Sequence, residues 1–87
     1  MSRRALILPD LGLGDRPISV SMWLVDRGVQ VFEGDPLVEL LAGEATVDLP
    51  SPATGVLVKK LATEDDVVRV GQRLAVIETL DDEEPAG

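Results

Sequence analysis

Apolar and polar positions alternate with a period of two over most of the chain, the spacing of a strand that buries one face. From Pro17 to Val25 one face would carry Ile18, Val20, Met22 and Leu24, and the other Ser19, Ser21, Trp23 and Val25. From Glu44 to Leu49 the apolar set is Ala45, Val47 and Leu49, with Glu44, Thr46 and Asp48 turned outward. No useful stretch places apolar residues at i, i+3, i+4 and i+7 without an intervening turn former, so long helices are not expected. Turn formers come at short intervals: Pro9-Asp10, Gly12, Gly14, Asp26-Arg27-Gly28, Glu33-Gly34-Asp35-Pro36, Pro50-Ser51-Pro52, Gly55, Glu64-Asp65-Asp66 and Gly71. Short strands between close turns predict an all-β chain, a sandwich or small barrel whose sheets wrap around each other and limit exposed edges.

The pattern repeats itself weakly. Val31, Gly34 and Leu37 recur 37 positions later as Val68, Gly71 and Leu74, and Leu24 recurs as Leu61. Leu8-Pro9 and Gly14 recur at a separation of 41 as Leu49-Pro50 and Gly55, which implies about four extra residues after Gly14 in the first half. Two similar halves predict a quasi-two-fold pair of small sheets, with the segment around Glu44 opening the second half.

Composition narrows the chemistry. A chain of 87 residues holds one small core. Trp23 and Phe32 are its only aromatic residues, so burial rests on Val, Leu, Ile and Ala, which suit a pleated surface. The absence of cysteine removes disulfides, thiolate metal sites and thiol nucleophiles, and the absence of histidine removes the commonest neutral-pH base and zinc ligand. Carboxylates, hydroxyls, Lys59 and Lys60 make a poor inventory for an enzyme. The net charge of −8 repels nucleic acid and anionic membranes and favours partners with basic surfaces. Glu64-Asp65-Asp66 lacks the spaced ligands of a calcium loop and reads as a solvated turn, so no metal site is expected.

The ends add two expectations. The apolar run Ala5-Leu6-Ile7-Leu8 after Arg3-Arg4 is too short for a signal segment or a membrane span, which by default gives a cytoplasmic or organelle-interior location. Residues 1–79 form the expected domain, and 80–87, with four consecutive acids before Pro85-Ala86-Gly87, read as a disordered tail or the start of a linker.

Several motifs, in order, carry a resemblance. Leu8-Pro9-Asp10-Leu11-Gly12, Trp23-Leu24-Val25, Val29-Gln30-Val31-Phe32-Glu33-Gly34-Asp35-Pro36-Leu37, its repeat over Val67 to Leu74, and Thr46-Val47-Asp48-Leu49-Pro50-Ser51-Pro52-Ala53-Thr54-Gly55 resemble successive segments of lipoyl domains. The likeness spans about Leu6 to Glu78. It implies a flattened β-barrel of two antiparallel sheets with a cofactor hairpin at one end, from the acyltransferase subunit of a 2-oxo acid dehydrogenase complex. There, lipoate on a lysine swings between active sites, tethered at high effective concentration. Biotinyl domains share that fold, but Gly43-Glu44-Ala45 does not resemble their Met-Lys-Met, and the Ser51-Pro52 turn and the Leu8 to Gly12 opening favour the lipoyl branch.

Two positions depart from the lipoyl pattern. Asp65 stands where many members have the glycine of a Gly-Asp pair, and Asp65-Asp66 resembles the branched-chain acyltransferase variety. Glu44 stands where the resemblance puts the modified lysine, between Gly43 and Ala45. A glutamate offers no amine to attack an activated lipoyl carboxylate, so no cofactor is expected on this chain. Lys59 and Lys60 fall in a strand, Gly12-Leu13-Gly14 lacks the third glycine of a dinucleotide loop because Pro17 takes its place, Trp23 reads as a packing residue, and Pro50 and Pro52 as turn stiffeners. The resemblance thus implies a lipoyl-like carrier domain without catalytic residues, monomeric in isolation and unable to be charged. Its remaining surfaces, Gly43 to Thr46 and the loop from Leu11 to Pro17, would meet a dehydrogenase component or a lipoate ligase. The alternatives are a non-catalytic interaction or regulatory domain that kept the fold, and a biotinyl carrier segment of a carboxylase.

Overall fold

The computed structural model describes residues 2–79, and the expected acidic tail over 80–87 lies outside them. Eight strands form: β1 (Ser2–Ile7), β2 (Ile18–Trp23), β3 (Gln30–Val31), β4 (Pro36–Ala42), β5 (Ala45–Pro50), β6 (Gly55–Lys60), β7 (Val67–Val68) and β8 (Arg73–Thr79). They make two antiparallel four-stranded sheets, ordered β1-β8-β6-β3 and β5-β4-β2-β7. The inner faces of both sheets feed one core, with Leu6, Leu57, Ala75 and Ile77 from the first meeting Val20, Val38, Leu40 and Leu49 from the second. The flattened sandwich expected from the sequence is therefore present.

A quasi-two-fold axis relates the halves closely. β2 and β6 share one burial pattern along their six residues, as do β3 and β7 along their two. The cross-linking backbone bonds also repeat. Gly28 N–H donates to Leu57 O (2.7 Å) and Leu57 N–H to Val29 O (3.1 Å); Asp65 N–H donates to Val20 O (2.8 Å) and Val20 N–H to Asp66 O (2.9 Å). The separation of 37 thus holds for β2 to β4 against β6 to β8. The first strand follows a different offset: Leu8 exchanges bonds with Gly71 and Gln72 as Ser51 does with Gly34 and Asp35, a separation of 43. The expected pairing of Leu8 with Leu49 at a separation of 41 is corrected by this register. Ten positions lead from Leu8 to Ile18 against four from Ser51 to Gly55, so the first half carries six extra residues, not four.

The alternation in β2 also needs correction. Ile18 and Val20 point inward, but Val20 pairs with Leu40 and Met22 with the next residue back, Glu39, so Ser21 is an extra residue. This bulge inverts the phase. Beyond it Trp23 and Val25 pack on the core while Met22 and Leu24 are exposed, the reverse of strict alternation. β6 has the same device at Val58, between the pairs Leu57–Ile77 and Lys59–Val76. Gly55, read from sequence as a turn residue, instead starts β6. A Cβ there would lie 2.8 Å from Glu78 C and 2.9 Å from Thr79 Cα, so close strand approach is what demands glycine.

Candidate functional site

The expected hairpin forms between β4 and β5, with Leu40 opposite Val47, Leu41 opposite Thr46 and Ala42 opposite Ala45. Only Gly43 and Glu44 remain to make the turn. Gly43 has φ 63°, and Glu44 is not among the non-glycine residues with positive φ, which is the pattern of a two-residue hairpin turn with glycine first. The twist of such a turn matches that of its strands, so the register below it is firmly held. Gly43, Glu44 and Ala45 are all exposed, while Ala42 is buried at the base. Glu44 is thus presented at the tip of a rigid hairpin, and its carboxylate forms no ion pair with a described residue.

Next to the hairpin lies the loop that the sequence singled out. Ile18, at its end, pairs with Ala42 on one side and Val68 on the other. Leu11 and Leu13 pack against the core, and Asp10 accepts a hydrogen bond from Gly12 N–H at 2.9 Å, tightening the loop's start. The loop and β7 enclose a shallow cavity of about 310 Å³ between residues 14–18 and 67–70. The second wall was not foreseen. Val67 and Val70 are 65% and 55% exposed, a signal the sequence offered only as two valines in a turn repeat.

The other candidate residues are structural. Trp23 donates from its indole Nε1 to Ala62 O at 3.0 Å, and Lys60 Nζ lies 5.2 Å from the centre of the Trp23 ring. Residues 23 and 60 are equivalents under the quasi-two-fold, so the pair packs across the axis. Lys59 and Lys60 both belong to β6 and neither is at a hairpin tip. Asp66 accepts bonds from Thr63 N–H (2.8 Å) and Thr63 Oγ1 (3.1 Å), closing its turn. Among the described residues no three Asp or Glu side chains gather closely enough to hold a metal ion. The turn expected at Pro50-Ser51-Pro52 forms, but sequence reasoning did not show that Ser51 is buried and donates from Oγ to Ala53 O at 2.7 Å, fixing the turn after β5.

A family model, Biotin_lipoyl, described as "Biotin-requiring enzyme", matches residues 4–77. The dihydrolipoyllysine-residue acetyltransferase component of the Mycobacterium tuberculosis pyruvate dehydrogenase complex is 43% identical over 74 residues, covering 85% of this chain and 13% of that protein. The corresponding Corynebacterium glutamicum component is 35% identical, over 86% of this chain and 11% of that protein. The lipoamide acyltransferase component of the Bacillus subtilis branched-chain alpha-keto acid dehydrogenase complex is 29% identical, over 91% and 19%. The chain therefore spans between a tenth and a fifth of the length of these relatives. Among solved structures, the lipoyl domain of the Azotobacter vinelandii 2-oxoglutarate dehydrogenase complex superposes with a TM-score of 0.68 at 20% identity, covering 86% of this chain and 96% of that one. Kluyveromyces lactis urea carboxylase gives 0.75 at 19% identity, covering 90% and 6%.

Proposed function

The chain belongs to the biotin/lipoyl domain family, and from that membership we propose that it is a lipoyl-type carrier domain of an acyltransferase subunit that cannot be charged in this form. The observation that carries the proposal is the turn Gly43-Glu44, exposed at the tip of the β4–β5 hairpin with no lysine anywhere in either strand. In the lipoyl family the prosthetic group is joined to such a tip through an amide, and only an amine can form it. Glu44 holds the equivalent place and offers a carboxylate. Lys59 and Lys60 do not replace it, because a side chain rising from β6 lacks the free sweep of a hairpin tip and Lys60 packs on Trp23.

What such a domain retains is recognition. The hairpin tip, the end of the loop at Pro17 and the exposed Val67 and Val70 lie at one end of the sandwich, a surface suited to a dehydrogenase component or a lipoate ligase. The domain contributes no catalytic residue of its own under this reading. It goes with a cytoplasmic or mitochondrial-matrix setting and with lipoate as the cofactor of its charged relatives.

Mass spectrometry after co-expression with a lipoate ligase tests the proposal on the native chain and on Glu44→Lys. A lipoyl-sized gain only in Glu44→Lys is the expected result. A gain on the unaltered chain, at Lys59 or Lys60, would refute it. The carboxylase-like fold neighbours give the biotinyl alternative its footing, and a biotin-sized gain on Glu44→Lys with a biotin ligase would favour it. If neither ligase acts on Glu44→Lys, the interaction-domain reading is the better one.

A further inference from the structure

The outer face of the sheet β1-β8-β6-β3 holds a groove of about 450 Å³ lined by Arg3, Ala5, Lys59, Leu61, Arg73 and Val76. Its floor follows from register: Ala5 on β1 pairs with Val76 on β8, which pairs in turn with Lys59 on β6. The bulge at Val58 sets that last pairing. Arg3 stands at one end, opposite Glu78, and Arg73 at the other, opposite Ile7. Three of the eight cations of a chain with net charge −8 therefore meet on one small surface with an apolar floor.

The fold does not require them there. Under the quasi-two-fold, the row Ala5–Val76–Lys59 corresponds to Asp48–Glu39–Met22 on the other sheet, in the same register. Arg3, Arg73 and Leu61 correspond to Thr46, Pro36 and Leu24. One architecture thus presents two different faces: at these positions one carries two adjacent carboxylates and no cation, the other three cations, with Glu78 the carboxylate opposite Arg3 at the groove's end. Arg3 is tied only loosely to an acid, with Nε 3.9 Å from Glu78 and its side chain 58% exposed. An exposed pair of that kind contributes little, so its ion pair does not account for Arg3.

We propose that this groove docks an extended acidic segment of a partner protein, with carboxylates toward Arg3, Lys59 and Arg73 and a small apolar side chain over Ala5, Val76 and Leu61. Along β8, five steps lead from Arg73 to Glu78, the residue opposite Arg3, about 17 Å of strand, so a segment of roughly six extended residues spans the site. A long polyanion or a vesicle would bring its charge against the acidic remainder of the domain, whereas a short peptide meets this face alone. The site is separate from the Glu44 turn, and the proposal holds whether or not Glu44→Lys can be lipoylated.

Titration of the 15N-labelled domain with a blocked hexapeptide of alternating aspartate and leucine tests it. Expected are amide shifts confined to β1, β6 and β8, weakening as salt is raised, and roughly tenfold weaker binding by Lys59→Glu/Arg73→Glu. Glu39→Gln, on the opposite face, should bind as the native domain does. Arg73→Gln, which keeps the strand residue polar, should show an intermediate loss and guards against a folding defect in the double variant. Shifts centred on residues 14–18 and 67–70, unchanged affinity in the charge-reversed variant, or co-sedimentation with phosphatidylserine vesicles in place of peptide binding would overturn the proposal.

Discussion

Asp65 has φ 75°, the one described non-glycine residue in the left-handed region, and its quasi-two-fold equivalent is Gly28 with φ 93°. Both donate the same cross-sheet backbone bond, so the turn geometry is dictated by the barrel and not by the residue. An L side chain there costs roughly 1 kcal/mol, somewhat less for aspartate, while glycine gives part of that back through its freer unfolded chain. Asp65→Gly should therefore stabilise the domain by about 0.5 kcal/mol and raise its thermal midpoint by a few degrees, readable by circular dichroism. The departure from the lipoyl pattern at this position carries a local conformational cost. Ser51 gives a prediction of opposite sign. Its Oγ bonds Ala53 O at 2.7 Å and it is 2% exposed, so Ser51→Ala leaves a buried carbonyl without its partner. Urea denaturation should show a loss of about 1–3 kcal/mol.

Among the elements, the bulges do the most to shape the surface. Ser21 and Val58 are equivalent extra residues, and each turns the remainder of its strand over. That inversion brings Trp23 and Val25 onto the core and sends Met22 and Leu24 to solvent; in β6 it sets Lys59 beside Val76. Gly55 decides how closely β6 approaches the end of β8. Because the atoms a Cβ would meet belong to backbone, Gly55→Ala cannot be relieved by a rotamer change. Separation of the strands there should cost at least about 2 kcal/mol, and hydrogen exchange should quicken in β8 near Glu78 before it does in β4.

At the scale of the molecule, the two halves interleave. β1 and β3 of the first half join β6 and β8, while β2 and β4 join β5 and β7 of the second, so each sheet takes two strands from each half. Neither half can close a sheet or bury its leucines alone. A chain of residues 1–43 should give no dispersed amide spectrum by itself, despite containing a complete repeat; a folded spectrum would contradict the interleaved arrangement. The same symmetry places the hairpin pair Ala42–Ala45 in equivalence with the terminal pair Thr79–Ser2. Gly43 and Glu44 close the first of these equivalent pairs into a turn.

Local pattern was enough to reveal strands and turns, because period-two alternation and turn-forming residue types are properties of neighbouring residues; the repeat at 37 showed as matching residue types, and the resemblance to lipoyl domains singled out the lysine-free hairpin. Packing decided the rest. A bulge leaves no mark in the alternation until a partner strand fixes which residue is unpaired, so the inward turn of Trp23 could not be read from β2 alone. The true offset of β1 needed the bonds of Leu8 and Ser51 to Gly71 and Gly34, which join residues far apart in the chain. The cationic groove likewise exists only after β1, β8 and β6 align, since Arg3, Lys59 and Arg73 share no sequence motif and are gathered by register.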